Sequence, residues 1–276
     1  MPNPGLKHSA EVKTERHSFD VKKTDFHSSK FQRTFYDRLS ETKVDEGGLF
    51  SCGFEERYKP RLVYDNKHAF KVFYNLFAPL FANSTNSFIL DMCSGSGIHL
   101  PVLSRFPGTI VGVDLSFGLL KKAHELKQEL KLDNTFLIQS FAETIALRDN
   151  SFDAVVMIDG VHHVEDQDKM MRELRRVAKP GTPFVLIEPN ISNPLVYLAH
   201  RLPKEERGAL RSNTARGLTE LLRPYIDNIT IKPFNQVASK KSTPFARAAT
   251  RTVEWICANV FFFWPIRILV RGNFKK

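Results

Sequence analysis

Five short runs of consecutive apolar residues mark the middle of the chain: FILD (88–91), TIVGVD (109–114), TFLIQ (135–139), AVVMID (154–159) and PFVLIE (183–188). Between them, over 98–105, 117–130 and 164–178, apolar residues return every three or four positions instead. Continuous apolar strands separated by amphipathic helices are what a parallel sheet covered on both faces requires. Two further strands are expected near 228–232 and 266–270. The pattern therefore predicts an α/β protein with a doubly wound, mostly parallel seven-stranded sheet, helices on both faces, and helical additions at either end.

Local chemistry supports the helices. Ser116 can cap the one opening at Phe117, with Leu119, Leu120, Ala123 and Leu126 inward and Lys121, Lys122 and Glu125 in water. Met171, Leu174, Val177 and Ala178 repeat that spacing before Lys179-Pro180-Gly181 stops the next helix. Ahead of the sheet, 31–39 and 61–81 carry helical spacing, with Leu62, Phe70, Val72, Phe73, Leu76, Phe77 and Leu80 on one broad face. After Glu188, helices are expected over 190–210, 214–225 and 245–260. The expected organisation is a flexible polar arm (1–30), a helical cap (31–87), a ligand-binding core (88–190), and a helical acceptor-site region with the last strands (191–276).

The chemistry concentrates in FILDMCSGSGIHLPVL (88–103), a strand ending in an acid, then a turn built on Gly95 and Gly97, then a helix. In an open parallel sheet ligands sit at the carboxyl ends of the strands, and small residues let backbone approach them. A dinucleotide fingerprint needs a third glycine where Leu100 stands, which weakens a nicotinamide reading.

This run resembles the D-x-G-x-G-x-G first motif of class I S-adenosylmethionine-dependent methyltransferases, with Asp91, Gly95 and Gly97 in place, Cys93 where the first glycine stands and Ser94 after it in the cofactor loop. A cysteine suits that loop if its backbone angle is not strictly positive. VGVDLSFGLLKKA (111–123), QSFAETIALRDNSFDAVVMIDGVHHVED (139–166) and MRELRRVAKPGTPFVLIEP (171–189) resemble the family's later landmarks, in order and at family spacing. The resemblance covers 88–190 and implies S-adenosylmethionine as methyl donor, S-adenosylhomocysteine as product and no metal. It also implies roles. Asp114 accepts from both ribose hydroxyls, with Leu115 beside it. Ala142 and its neighbours edge the adenine, where Phe141 replaces an acid and can stack on or wall off the ring while Glu143 is an alternative acceptor. Asp159 faces the methionine end or the acceptor, and His162 and His163 are the candidate bases for a hydroxyl acceptor. His99 and His200 are isolated and expected to be surface or satisfied structural residues.

Charge and composition bear on the acceptor. The 276 residues carry a net charge of +10, and from 239 onward eight basic residues face one acid, Glu254. There Arg247 and Arg251 are interleaved with Phe245, Trp255, Phe261, Phe262, Phe263 and Trp264, a mix suited to an anionic membrane interface. The apolar run 255–270 contains Asn259, Pro265 and Arg267 and is too short to span a bilayer, which takes about 20 residues. Three scattered cysteines, Cys52, Cys93 and Cys257, form neither a disulfide framework nor metal-ligand pairs, and the opening residues lack a leader's apolar core. The expectation is a cytoplasmic protein, peripheral at the membrane through 239–276, with a small-molecule, lipid or lipid-linked glycan acceptor. Nucleic acid is disfavoured because Asp159-Gly-Val-His stands where such enzymes carry an N/D-P-P-Y/F motif. A methyltransferase of a soluble metabolite and a catalytically idle methyltransferase-like scaffold remain the alternatives.

Overall fold

The computed structural model describes residues 28–41, 58–81, 86–201, 213–235, 252, 255–256 and 265–276. The expected polar arm up to residue 27, Cys52, Cys257, and nearly all of the basic and aromatic stretch before Pro265 lie outside the described residues, as do parts of the helices expected over 190–210 and 245–260.

Seven strands form one sheet in the order β3-β2-β1-β4-β5-β7-β6. They are β1 (Phe88–Met92), β2 (Thr109–Asp114), β3 (Thr135–Gln139), β4 (Ala154–Ile158), β5 (Pro183–Pro189), β6 (Ile226–Phe234) and β7 (Arg267–Phe274). The first five pair in parallel, and β7 runs antiparallel to both β5 and β6. The chain winds outward from β1 to β3, then returns to lay β4 on the other side of β1. The crevice above β1 and β4 is therefore the topological switch point, where α/β sheets bind ligands.

Successive strand residues point to opposite faces, so a strand covered twice must be apolar throughout. Leu90, Met92, Val155, Met157, Phe184, Leu186, Ile268 and Val270 bury themselves on one face. Helices α5 (Gln167–Val177) and α7 (Ala215–Leu222) cover that face with Met170, Met171, Leu174, Val177, Leu218 and Leu222. Ile89, Val156, Ile158, Val185, Ile187 and Leu269 bury on the other face, under α2 (Lys67–Phe77), α3 (Leu100–Leu103) and Ala123 of α4 (Phe117–Leu130). Two helices remain, α1 (Ser29–Glu41) and α6 (Pro194–Arg201).

Caps set the boundaries. Ser116 accepts from the Leu119 N–H at 3.1 Å and opens α4 where expected, and Leu119, Leu120, Ala123 and Leu126 are its buried face. Asp166 accepts from Lys169 N–H at 2.9 Å, so α5 starts at Gln167 and not at 164, the preceding Val161–His163 being a 3-10 turn. Asn66 caps α2 through Ala69 N–H, which shortens the expected 61–81 helix to Lys67–Phe77 with a 3-10 turn after it. Of the helix expected over 98–105 only Leu100–Leu103 is α-helical, because the chain meets Pro107 and Gly108 and must turn into β2. β7 reaches Phe274, four residues past the expected end, held by β5 on one side and β6 on the other. Of the 31–87 segment, α1 and Tyr58 border the crevice, whereas α2 packs into the second face of the sheet.

Candidate active site

The turn after β1 is shaped by backbone angles. Gly95 and Gly97 sit at φ 54° and 79°, and a Cβ on Gly97 would stand 2.9 Å from Leu100 and 3.0 Å from Ala123. Only glycine lets α4 approach that closely. Cys93 corrects an expectation: its φ is 58°, well inside the left-handed region. The turn enforces that angle because Ser94 must donate its N–H to Val113 O at 3.0 Å while Gly160 closes over the Cys93 side chain. A Cβ on Gly160 would stand 2.6 Å from the Cys93 Cβ.

Two carboxylates converge beneath this turn. Asp114, at the end of β2, accepts Gly95 N–H at 2.8 Å on one oxygen and Ser116 N–H at 2.9 Å on the other, so each oxygen keeps a lone pair for a further donor. Burial pushes its pKa up to about 6, against the pull of those backbone N–H groups. Asp91 is buried in β1, and burial followed by repulsion from Asp114 pushes it up to about 7. One Asp91 oxygen and the Ser94 hydroxyl are buried without a hydrogen-bond partner. Buried acceptors left this way favour a ligand that brings donors or positive charge.

The third wall is the turn after β4. Asp159 takes φ 52°, and its carboxylate pairs with Arg267 at the start of β7. Its pKa is raised by burial and drawn back by that guanidinium. Glu188, wholly buried at the end of β5, gathers the rest of the turn. One oxygen accepts Gly160 and Val161 N–H, both at 2.8 Å, and the other meets His162 Nδ1 at 2.5 Å and Asn213 Nδ2 at 2.8 Å. The two candidate bases are thereby separated. His162 is buried on Glu188 and does not line the cavity, whereas His163 lines it with Nε2 2.8 Å from the Tyr36 hydroxyl.

Helix α1 roofs the space. Ser29, Gln32 and Tyr36, spaced three and four apart on one face, line it together with Tyr58. The cavity measures about 630 Å³ counted out to its open mouth. Met92, Cys93, Gly95, Asp114, Leu115, Leu119, Ser140, Ala142, Glu143, Asp159 and His163 are among its lining residues. Asp91, Ser94 and Gly97 lie underneath as support. Phe141 is 41% exposed and outside the lining, between Ser140 and Ala142, which belong to it. The residues of α1 carried no motif, and their spacing along one helical face was their only signal in the sequence. A donor with ribose hydroxyls and a positive sulfur fits what is present: acids with free lone pairs at the switch point, and a turn that glycines keep open. Among the described residues no cluster of His, Cys, Asp and Glu is arranged to hold a metal ion.

The chain is similar to known proteins. Residues 90–186 match the methyltransferase domain family. The chain is 30% identical over 173 residues to the ubiquinone/menaquinone biosynthesis C-methyltransferase UbiE of Escherichia coli, a match covering 57% of this chain and 67% of that protein. Among solved structures, the [4+2]-cyclase SpnF superposes with a TM-score of 0.57 at 17% identity, covering 90% of this chain and 96% of its own. An S-adenosylmethionine-dependent methyltransferase from Aquifex aeolicus gives 0.50 at 18% identity over 72% of this chain and 87% of its own. At these identities the two structures share the fold alone with this chain.

Proposed function

Since the chain belongs to the class I S-adenosylmethionine-dependent methyltransferases, we propose that its acceptor is a small molecule with an apolar body, a lipid or lipid-linked glycan, and that His163 is the base that takes the acceptor's proton. The observation that carries the base assignment is the His163 imidazole in the cavity wall, hydrogen-bonded to Tyr36 at 2.8 Å. S-adenosylmethionine supplies an already activated methyl group, so the protein's work is alignment, exclusion of water and proton removal. Asp114 would accept the ribose hydroxyls, Leu115 and Ala142 would flank the adenine, and Asp91 would face the donor's positive charge from below.

His163 is aimed by its surroundings. Its ring leans on His162 with centroids 3.9 Å apart and the planes tilted by 44°, and His162 is fixed by Glu188. Tyr36 approaches its edge at 84° with centroids 5.3 Å apart. An imidazole near neutrality can take a proton as a hydroxyl or an acidified carbon attacks, contributing about 10²–10⁴-fold.

Two features support a lipid acceptor. Helix α6, joined to the carboxyl end of β5 by a four-residue link, buries Val196 and leaves Leu195 72% and Leu198 54% exposed. The relative UbiE is named a ubiquinone/menaquinone biosynthesis C-methyltransferase. Among the described residues no helix is long and apolar enough to cross a membrane. The basic stretch from 239 onward would add attraction to anionic lipid.

Incubation with methyl-tritiated S-adenosylmethionine and a cell extract, followed by phase separation, tests the proposal. Label should enter the organic phase, and His163→Ala should reduce it by about 10²-fold or more. Label confined to the aqueous phase would establish a soluble metabolite instead. No label anywhere from a protein that binds the donor would establish an idle scaffold.

A further inference from the structure

Helix α1 is held by polar pins more than by apolar burial, since its buried residues are Gln32 and Ser40. One end is tied where Ser29 N–H donates to Glu165 at 2.7 Å, just after the β4 turn. The other end is tied by Asp37, a single carboxylate oxygen of which accepts the Ser116 hydroxyl at 2.6 Å and the Gly118 N–H at 2.9 Å. Ser116 in turn accepts Leu119 N–H and donates its own N–H to Asp114. A helix N-terminus has N–H groups that need partners, and here two residues from distant parts of the chain share that duty.

Gly118 makes the same point sterically. A Cβ there would collide with the Ser40 hydroxyl and stand 3.1 Å from the Asp37 Cα and the Asp37 carbonyl oxygen. Glycine is unfavourable within a helix, and α4 accepts one in its first turn because α1 presses onto it there.

We infer that Asp37 is a positioning residue for the donor site. Through Ser116 it fixes the loop that presents Asp114, and through Gly118 it seats α1 across the cavity mouth, so donor binding and docking of α1 are coupled. The inference rests on the methyltransferase reading. Since α1 lines the space a donor would fill, ligand contacts with Gln32 and Tyr36 stabilise the docked helix, and the docked helix tightens the site in return.

The probe is S-adenosylhomocysteine, with affinity measured by calorimetry and docking of α1 by hydrogen exchange of the 30–41 amides. Asp37→Ala should weaken binding about tenfold, the scale of one or two lost charge-assisted hydrogen bonds, and should remove ligand-induced protection of α1. Asp37→Asn keeps an acceptor oxygen and should restore most of both. Gly118→Ala favours the α4 helix intrinsically, so weaker binding and faster α1 exchange in that variant would report displacement of α1 and not loss of α4. Wild-type affinity and wild-type exchange in both Asp37→Ala and Gly118→Ala would overturn the inference. Failure of the unaltered protein to bind S-adenosylhomocysteine would instead remove the reading beneath it.

Discussion

Cys93 holds φ 58° in the turn after β1, an angle that costs an L-residue about 1–2 kcal/mol. Asp159 holds φ 52° in the turn after β4, so two non-glycine residues carry left-handed backbone on either side of the switch point. Such angles persist where the surroundings dictate them, and they gather at sites that must be rigid. At Cys93 the dictating contacts are the Ser94 N–H bond to Val113 and the closure of Gly160. A comparison of two substitutions isolates the backbone cost, because Cys93→Ala and Cys93→Gly both lose the sulfur and only alanine keeps a Cβ. The glycine variant should be the more stable of the two by roughly 0.5–1 kcal/mol in urea unfolding, after its larger loss of chain entropy is counted. Equal stability would mean that the turn relaxes out of the left-handed region when the sulfur is gone.

At the scale of elements, the end of β5 organises the site although it contributes no lining residue. Glu188 ties the turn after β4 to Asn213 at the entrance to α7, through four hydrogen bonds made where no water reaches. Removing one partner of a buried charged network strands the others, so Glu188→Ala should cost about 3–5 kcal/mol. Urea unfolding measures that loss, and a change under about 1 kcal/mol would mean that water replaces the carboxylate. This arrangement was only partly legible in the sequence. The strands, α4 and the Asp91–Gly97 turn follow from local periodicity, capping and small-residue spacing, which adjacent residues encode. The division of labour between His162 and His163 does not, because it depends on Glu188 lying 26 residues away in sequence. Tyr36 and Asp37 were hidden for the same reason: α1 reads as one amphipathic helix among several, and its partners His163 and Ser116 are brought to it by the sheet.

For the molecule as a whole, Asp91 and Asp114 are two of the buried acids that make folding and donor binding depend on pH. Asp91 and Asp114 sit at about 7 and about 6 in the fold, against 3.8 for a solvated aspartate. A carboxyl whose folded pKa lies above its unfolded value stabilises the fold fully below the unfolded value, and loses that contribution as pH climbs through the folded one. These two groups therefore favour the free protein at low pH and cease to do so by about pH 7. His99 acts in the opposite sense, since burial and the nearby Arg267 lower it to about 3, and what it contributes above 6.5 is lost as pH falls. The difference between wild type and Asp114→Asn removes His99 from the comparison, and wild type should lose stability relative to that variant as pH rises from about 4 to 6. A donor that brings hydroxyls and positive charge needs the carboxylates ionised, so binding must expel protons where they are still protonated. S-adenosylhomocysteine and S-adenosylmethionine should both bind more tightly as pH increases through 6, the sulfonium ligand more steeply because Asp91 answers to charge. Calorimetry in two buffers of different ionisation enthalpy measures the protons released, and Asp114→Asn should lower the number. Proton release that is absent at pH 6, or unchanged in the variant, would show that these acids are ionised before the ligand arrives.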